Sequence, residues 1–181
     1  MKPRTSESHP LQIATLNLAS GARLGMTFCP GKYDLHAMTG AWQRNLDIDL
    51  KAVTAWDATA LVTLMEDHEL ELLRVPDLGH KTAALGMQWF HLPIRDVSIP
   101  DASFEAAWKT QGPALLEHLT NAQGVAVHCR GGLGRTGLIA ARLLIELGEQ
   151  PARALSLVRQ ARPGAVETRE QEEYVLELRC S

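Results

Sequence analysis

Of the three cysteines in this chain, Cys129 stands where a cysteine can act as a nucleophile. It follows the short apolar run Gly124-Val125-Ala126-Val127-His128, and Arg135 comes six positions later, at the start of an apolar, helix-prone stretch. Between them Gly131, Gly132 and Gly134 allow a tight turn that aims successive backbone N–H groups inward. A nest of amides at a helix N-terminus is an anion site, and a phosphate fits its size and charge. The same field favours a thiolate, so Cys129 is expected to be a nucleophile at neutral pH. Arg135 is expected to fold back and grip two phosphate oxygens. Arg130, Gly131, Gly132, Leu133 and Gly134 would line the anion, and the Thr136 hydroxyl would donate to the sulfur. A thiolate needs no general base, so His128 is read as a residue that holds the shape of the loop. The loop lacks the Gly-Lys-Ser/Thr ending of a nucleotide-binding Walker motif.

Displacing an alkoxide or phenoxide requires a proton donor, and hydrolysing the resulting phosphocysteine requires an activated water; one carboxylic acid can serve both steps. Asp96 is the candidate, because it follows a strand end and the Leu92-Pro93 turn, where a loop would hang over the site. Asp101 competes, but Pro100-Asp101-Ala102-Ser103 also reads as a helix N-cap. The remaining histidines show no metal spacing and the cysteines form no paired motif, so no metal is expected. Arg130 is expected at the rim of the site. Cys29 is either a small core residue or a redox partner of Cys129.

These residues need elements to position them. Residues 11–16 and 24–28 read as a hairpin or two edge strands, stopped by Cys29-Pro30-Gly31-Lys32. Apolar residues at 46, 50, 53 and 56 have helical spacing, and 60–65 is an unbroken apolar run suited to a strand buried on both faces. Short helices are expected over 66–73 and 76–85, and a strand over 88–92. A helix over 102–119 should be kinked or split by Gly112-Pro113. A core strand over 124–128 is followed by helices from 138, from Pro151 and from about residue 168. This alternation predicts an α/β fold with a mainly parallel central sheet, helices on both faces and an N-terminal antiparallel edge. Ligands bind at the carboxyl ends of such strands, where Cys129 lies.

At 45% apolar residues the chain can bury a core, and 18 Lys+Arg against 21 Asp+Glu leave a formal charge of −3. Neither nucleic acid nor an anionic membrane is expected as a partner. No apolar run is long enough to span a bilayer, and the polar first ten residues do not read as a signal peptide. Those residues are expected to be flexible, with a single domain over 11–181. Three widely spaced cysteines, Cys29, Cys129 and Cys180, suit free thiols in a cytoplasmic protein.

The segment His128-Cys129-x-x-Gly-x-x-Arg135-Thr136 resembles the active-site signature of the protein tyrosine and dual-specificity phosphatases. It is most similar to the cyclin-dependent kinase inhibitor 3, or kinase-associated phosphatase, family. Three more stretches carry that narrower resemblance: Cys29-Pro30-Gly31-Lys32 leading to Arg44-Asn45-Leu46, the general-acid loop at 93–101, and the loop at 162–171. The resemblance implies a phosphoprotein phosphatase that needs no cofactor, with Asp96 as its acid and a protein kinase as a possible partner. It also implies a water-positioning role for Gln171, which otherwise reads as part of the solvated helix face Glu170-Gln171-Glu172-Glu173. Two alternatives remain: a phosphoinositide or small-molecule phosphatase with the same loop, and a phospho-binding or kinase-docking module with little turnover.

Overall fold

A computed structural model describes residues 2–179; Cys180 lies outside the described residues. The chain opens with a hairpin of β1 (Ala14–Asn17) and β2 (Arg23–Phe28), then β3 (Tyr33–Asp34) and β4 (Trp42–Gln43). There follow α1 (Leu46–Ala55), β5 (Ala58–Thr63), α2 (Asp67–Leu72), α3 (Leu78–Ala84), β6 (Gln88–His91), α4 (Ala102–Thr120), β7 (Gly124–Cys129), α5 (Gly134–Glu146), α6 (Pro151–Ala161) and α7 (Arg169–Glu177). The main sheet has the order β1-β2-β7-β5-β6. Only the β1–β2 pairing is antiparallel; β2, β7, β5 and β6 run parallel. Helices flank this sheet, as the alternation of elements predicts.

The parallel strands bring their carboxyl ends to one edge. Phe28 pairs with Cys129, Thr63 with His128 and Thr63 with His91. Segments far apart in sequence therefore leave the sheet beside one another: the 29–32 turn, α2, the 92–101 loop and the 129–135 loop. Every residue of β7 is buried, which accounts for its unbroken apolar run. Helix α5 is buried from Gly134 through Ile145, so the helix that begins at the site also runs through the core.

Three features depart from the sequence reading. Helix α4 runs unbroken through Pro113. Phe104, Trp108, Gly112, Leu115 and Leu119 form one buried face spanning the proline, while Lys109, whose carbonyl would have bonded the missing N–H, is exposed to water. The small ladder of β3 and β4 was not foreseen, since strands of two residues carry no periodicity. The first ten residues were expected to be flexible, yet Ser6 is buried and its Oγ accepts from Asn45 N–H at 2.9 Å. Arg44 Nη1 also donates to the His9 carbonyl at 2.7 Å. A polar side chain, Ser6, and the His9 backbone carbonyl supply these partners.

Candidate active site

The 129–135 loop is shaped by two glycines rather than three. Gly132 has φ +71°, and a Cβ there would overlap the Thr27 carbonyl. A Cβ on Gly134 would lie 2.5 Å from Glu167 Oε2. Gly131 has open space around it. With the backbone so turned, Gly132 N–H donates to Cys129 Sγ at 3.2 Å. The Thr136 hydroxyl does not reach the sulfur as expected; Oγ1 is buried and makes no hydrogen bond. Leu133 is the N-cap of α5, and its carbonyl accepts from Gly137 N–H and Val166 N–H.

His128 is fully buried within a chain of hydrogen bonds whose direction is set by the Cys129 carbonyl, which can only accept and so requires Nδ1–H in the neutral ring. The Trp89 indole can only donate, and it does so to Thr63 Oγ1 at 2.8 Å. Thr63 then donates to His128 Nε2 at 2.8 Å, with Nδ1–H directed at the Cys129 carbonyl, 3.4 Å away. Burial pushes the imidazole down to about 3, so it is neutral. These bonds tie His128 to Thr63, Trp89 and the loop backbone.

Arg135 is almost wholly buried, and its guanidinium is already held by protein. Nη1 and Nη2 donate to the two carboxylate oxygens of Glu69 at 2.7 and 2.9 Å, and Nη1 also donates to the Ile94 carbonyl at 3.0 Å. Nε makes none of these contacts. Burial pushes the Glu69 carboxyl up, but the hydrogen bonds from Arg135 and from Glu66 N–H outweigh it and hold the group below the usual carboxylate range. Asp96 Oδ1 lies 2.8 Å from Arg135 Nη2. Asp96 is half-exposed and accepts from Val97 N–H at 3.0 Å. Asp101, the rival acid, caps α4 by accepting from Phe104 N–H at 2.8 Å.

Arg130 sits at the rim and donates to Asp34 Oδ2 at 2.7 Å. Gln171 is not on a solvated face: it is 1% exposed. Its Oε1 accepts from Glu167 N–H and Thr168 N–H, while Nε2 donates to the Ser98 carbonyl at 3.1 Å. Gln171 thus ties the Asp96 loop to the segment before α7. Two β-branched residues beside carboxylates, Val97 and Val166, have φ of 55° and 60°, a region such side chains rarely enter.

Sequence reasoning missed Glu69 and Arg162. Arg162 Nε donates to the Gly132 carbonyl and Nη2 to the Gly131 carbonyl at 3.1 Å, holding the outer side of the loop. Its burial lowers the guanidinium below its usual range, with Cys129 acting in the opposite sense. Cys29 is buried, and burial pushes its thiol up, which keeps it protonated. Among the described residues no group of three His, Cys, Asp or Glu side chains could hold a metal ion, and no helix is long and apolar enough to cross a membrane.

Cys129, Arg135 and Asp96 all fall within residues 37–149, which match the family model described as polymorphic toxin system, DSP-PTPase phosphatase. The chain belongs to the DSP-PTPase phosphatases. Enzymes of this kind hydrolyse phosphomonoesters through a cysteine, and this DSP-PTPase is a cysteine-based phosphatase. Cyclin-dependent kinase inhibitor 3 of Rattus norvegicus is 30% identical over 184 residues, covering 98% of this chain and 83% of that protein. The crystal structure of kinase associated phosphatase, with its catalytic-site cysteine substituted by serine, superposes with a TM-score of 0.80 at 29% identity and covers 93% of each chain. Tk-PTP in its active form matches with a TM-score of 0.64 at 30% identity, covering 85% of this DSP-PTPase and 88% of that chain.

Proposed function

We propose that this phosphatase dephosphorylates protein side chains, with Cys129 as nucleophile, Asp96 as acid and then base, and Arg135 with the loop amides as the phosphate clamp. The observation that supports this reading most is the placing of Arg135: one guanidinium meets the Glu69 carboxylate and Asp96 at the mouth of the loop whose Gly132 amide points at Cys129 Sγ. In the first step Sγ attacks phosphorus in line, the P–S bond forms, the P–O bond breaks, and Asp96 gives its proton to the leaving oxygen. In the second step water attacks phosphorus, the Asp96 carboxylate takes the water proton, the P–S bond breaks and the thiolate returns. Fixed amides and Arg135 stabilise the charge on the phosphoryl oxygens throughout. His128 and Gln171 position the loop and the acid segment.

A protein substrate is supported by the relatives, which are called cyclin-dependent kinase inhibitor 3 and kinase associated phosphatase. A phosphorylated protein kinase is therefore the substrate class to test first. The loop offers Leu133 and a single added cation, Arg130, where a multiply phosphorylated lipid headgroup would call for more positive charge. The buried free thiols Cys29 and Cys129 suit a reducing cytoplasm. The deciding experiment is turnover of nitrophenyl phosphate and of phosphothreonine and phosphotyrosine peptides by wild type and Cys129→Ser. Wild type should turn over both kinds of substrate and Cys129→Ser neither. Residual turnover in Cys129→Ser would remove Cys129 from the mechanism, and turnover of inositol phosphates but not peptides would replace the protein substrate with a phosphoinositide or small-molecule one.

A further inference from the structure

Beside the 129–135 loop lies a cavity of about 320 Å³ that the reaction itself does not use. Tyr33 and Asp34 of β3 form one wall; Leu72, Leu73 and Arg74, at the end of α2, form the other; Arg130 closes it on the side of Cys129. The walls are fastened together. Tyr33 N–H donates to the Leu73 carbonyl at 3.0 Å, and Arg130 donates to Asp34. The cavity therefore keeps a fixed position relative to the phosphate site.

Its chemistry is specific. Asp34 is the lining carboxylate and is already taken by Arg130 and by His36 N–H; burial raises this carboxyl, but those hydrogen bonds leave it below its usual range. Arg74 Cζ lies over the Tyr33 ring, 3.7 Å from its centroid, and no carboxylate among the described residues pairs with it. Leu72 is 62% exposed and Leu35, also on the lining, 39%. An apolar rim with one stacked guanidinium lacking an anion fits a side chain that has a short apolar stem and a negative end.

We propose that this cavity is a subsite for an aspartate or glutamate next to the phosphorylated residue of the substrate, with Arg74 receiving its carboxylate. The inference rests on the protein-substrate reading above. Because Arg130 adjoins both the cavity and the phosphate site, a peptide whose phosphate enters the loop carries its neighbouring residues across the mouth of the cavity. Stacking on Tyr33 holds the guanidinium in place before the ligand arrives, which lowers the entropic cost of using it.

The test compares matched phosphopeptides with Glu, Ala or Lys beside the phosphorylated residue, read as ratios of kcat/KM within each protein variant, so that a partly folded variant does not distort the result. Wild type should favour Glu over Ala by at least about threefold, the scale of one partly exposed ion pair. Arg74→Ala should bring that ratio to about one, and Arg74→Glu should favour the Lys peptide. A wild-type ratio of one, or a preference for Glu that survives both substitutions, overturns the subsite and leaves the protein-phosphatase reading intact. Hydrolysis of nitrophenyl phosphate with no turnover of any peptide overturns both.

Discussion

Asp96 and Arg135 are in direct contact: the aspartate Oδ1 lies 2.8 Å from Nη2 of a guanidinium that Glu69 already holds. A bound phosphate must share Arg135 with Asp96 or displace it, and displacement moves the carboxyl toward the leaving oxygen. Asp96→Ala should therefore bind vanadate or inorganic phosphate about two- to fivefold more tightly than wild type while losing turnover. Competitive inhibition of the residual activity, or calorimetry, measures this. Weaker anion binding in the variant would mean that Asp96 helps to build the anion site instead of competing for it.

The acid is separable from its neighbour by pH. A deprotonated sulfur and a protonated carboxyl are needed in one complex, so kcat/KM should trace a bell against pH. Asp96→Asn should flatten the basic limb, with a larger loss for a phosphothreonine peptide than for nitrophenyl phosphate, because the threonine alkoxide is the poorer leaving group. Asp101→Ala should keep the bell and lose about 1 kcal/mol of stability, since it removes a cap. A flattened limb in the Asp101 variant alone would reverse the assignment.

Glu69 should show itself in acid. Its carboxyl is held below the usual range in the folded protein. Its contribution is therefore complete above the unfolded-state value and is lost as pH falls through the folded-state value. Removing one partner of a buried pair leaves the other uncompensated, so Glu69→Ala should lose about 3 kcal/mol at neutral pH. The gap between wild type and variant should shrink in acid. Urea unfolding of both proteins at neutral and acid pH tests this; a constant gap would mean that the loss comes from packing.

Thr136 gives a test in which stability and activity move apart. Its hydroxyl is buried without a partner, a state that destabilises a fold, so the near-isosteric Thr136→Val should be at least as stable as wild type. If the hydroxyl serves the sulfur during turnover, kcat should drop about tenfold in the same protein, the scale of one hydrogen bond to a charged group. Thermal melts and steady-state kinetics read the two effects. A less stable variant would show that the hydroxyl finds a partner in solution, and unchanged kcat would remove it from the reaction.

Arg162 should behave as a positioning residue. Its guanidinium donates to two successive carbonyls of the loop, a geometry that an ammonium cannot copy. Arg162→Lys should raise KM and lower kcat together, with the pH profile unchanged in shape. A shifted acidic limb would mean that its charge, and not its hold on the loop, matters to Cys129.

Most of the site that was legible in the sequence is contiguous; Asp96 is the exception, marked by the Leu92-Pro93 turn before it. Strand, loop and helix from 124 to 146 present the sulfur, the amides and the guanidinium in one run, and Gly132 has the conformation that its residue type suggests. Glu69 was hidden because Glu66-Asp67-His68-Glu69 looks like a solvated helix start. Only the pairing of β5 with β7 brings it to Arg135, 66 positions away. Arg162 was hidden in the same way, within a Pro-Gly turn whose visible signal is the turn. Gln171 shows the limit of reading a charged helix face as uniform: it is the third residue of α7, its side chain closes a capping box with Thr168, and that geometry turns it inward. Pro113 failed as a signal because four buried side chains, Phe104, Trp108, Leu115 and Leu119, hold α4 together across it.

The burial of α5 has a consequence for how the site fluctuates. The catalytic loop is stitched to a helix that cannot leave the core without dismantling it, so the hydrogen-bonded amides of Gly137 to Ile145 should exchange with solvent only through global unfolding. The Asp96 segment is anchored differently, through an ion pair and one amide of Gln171, with Val97 65% exposed. Its amides should exchange through small local openings. One half of the active site therefore keeps time with the whole protein and the other half with a single loop.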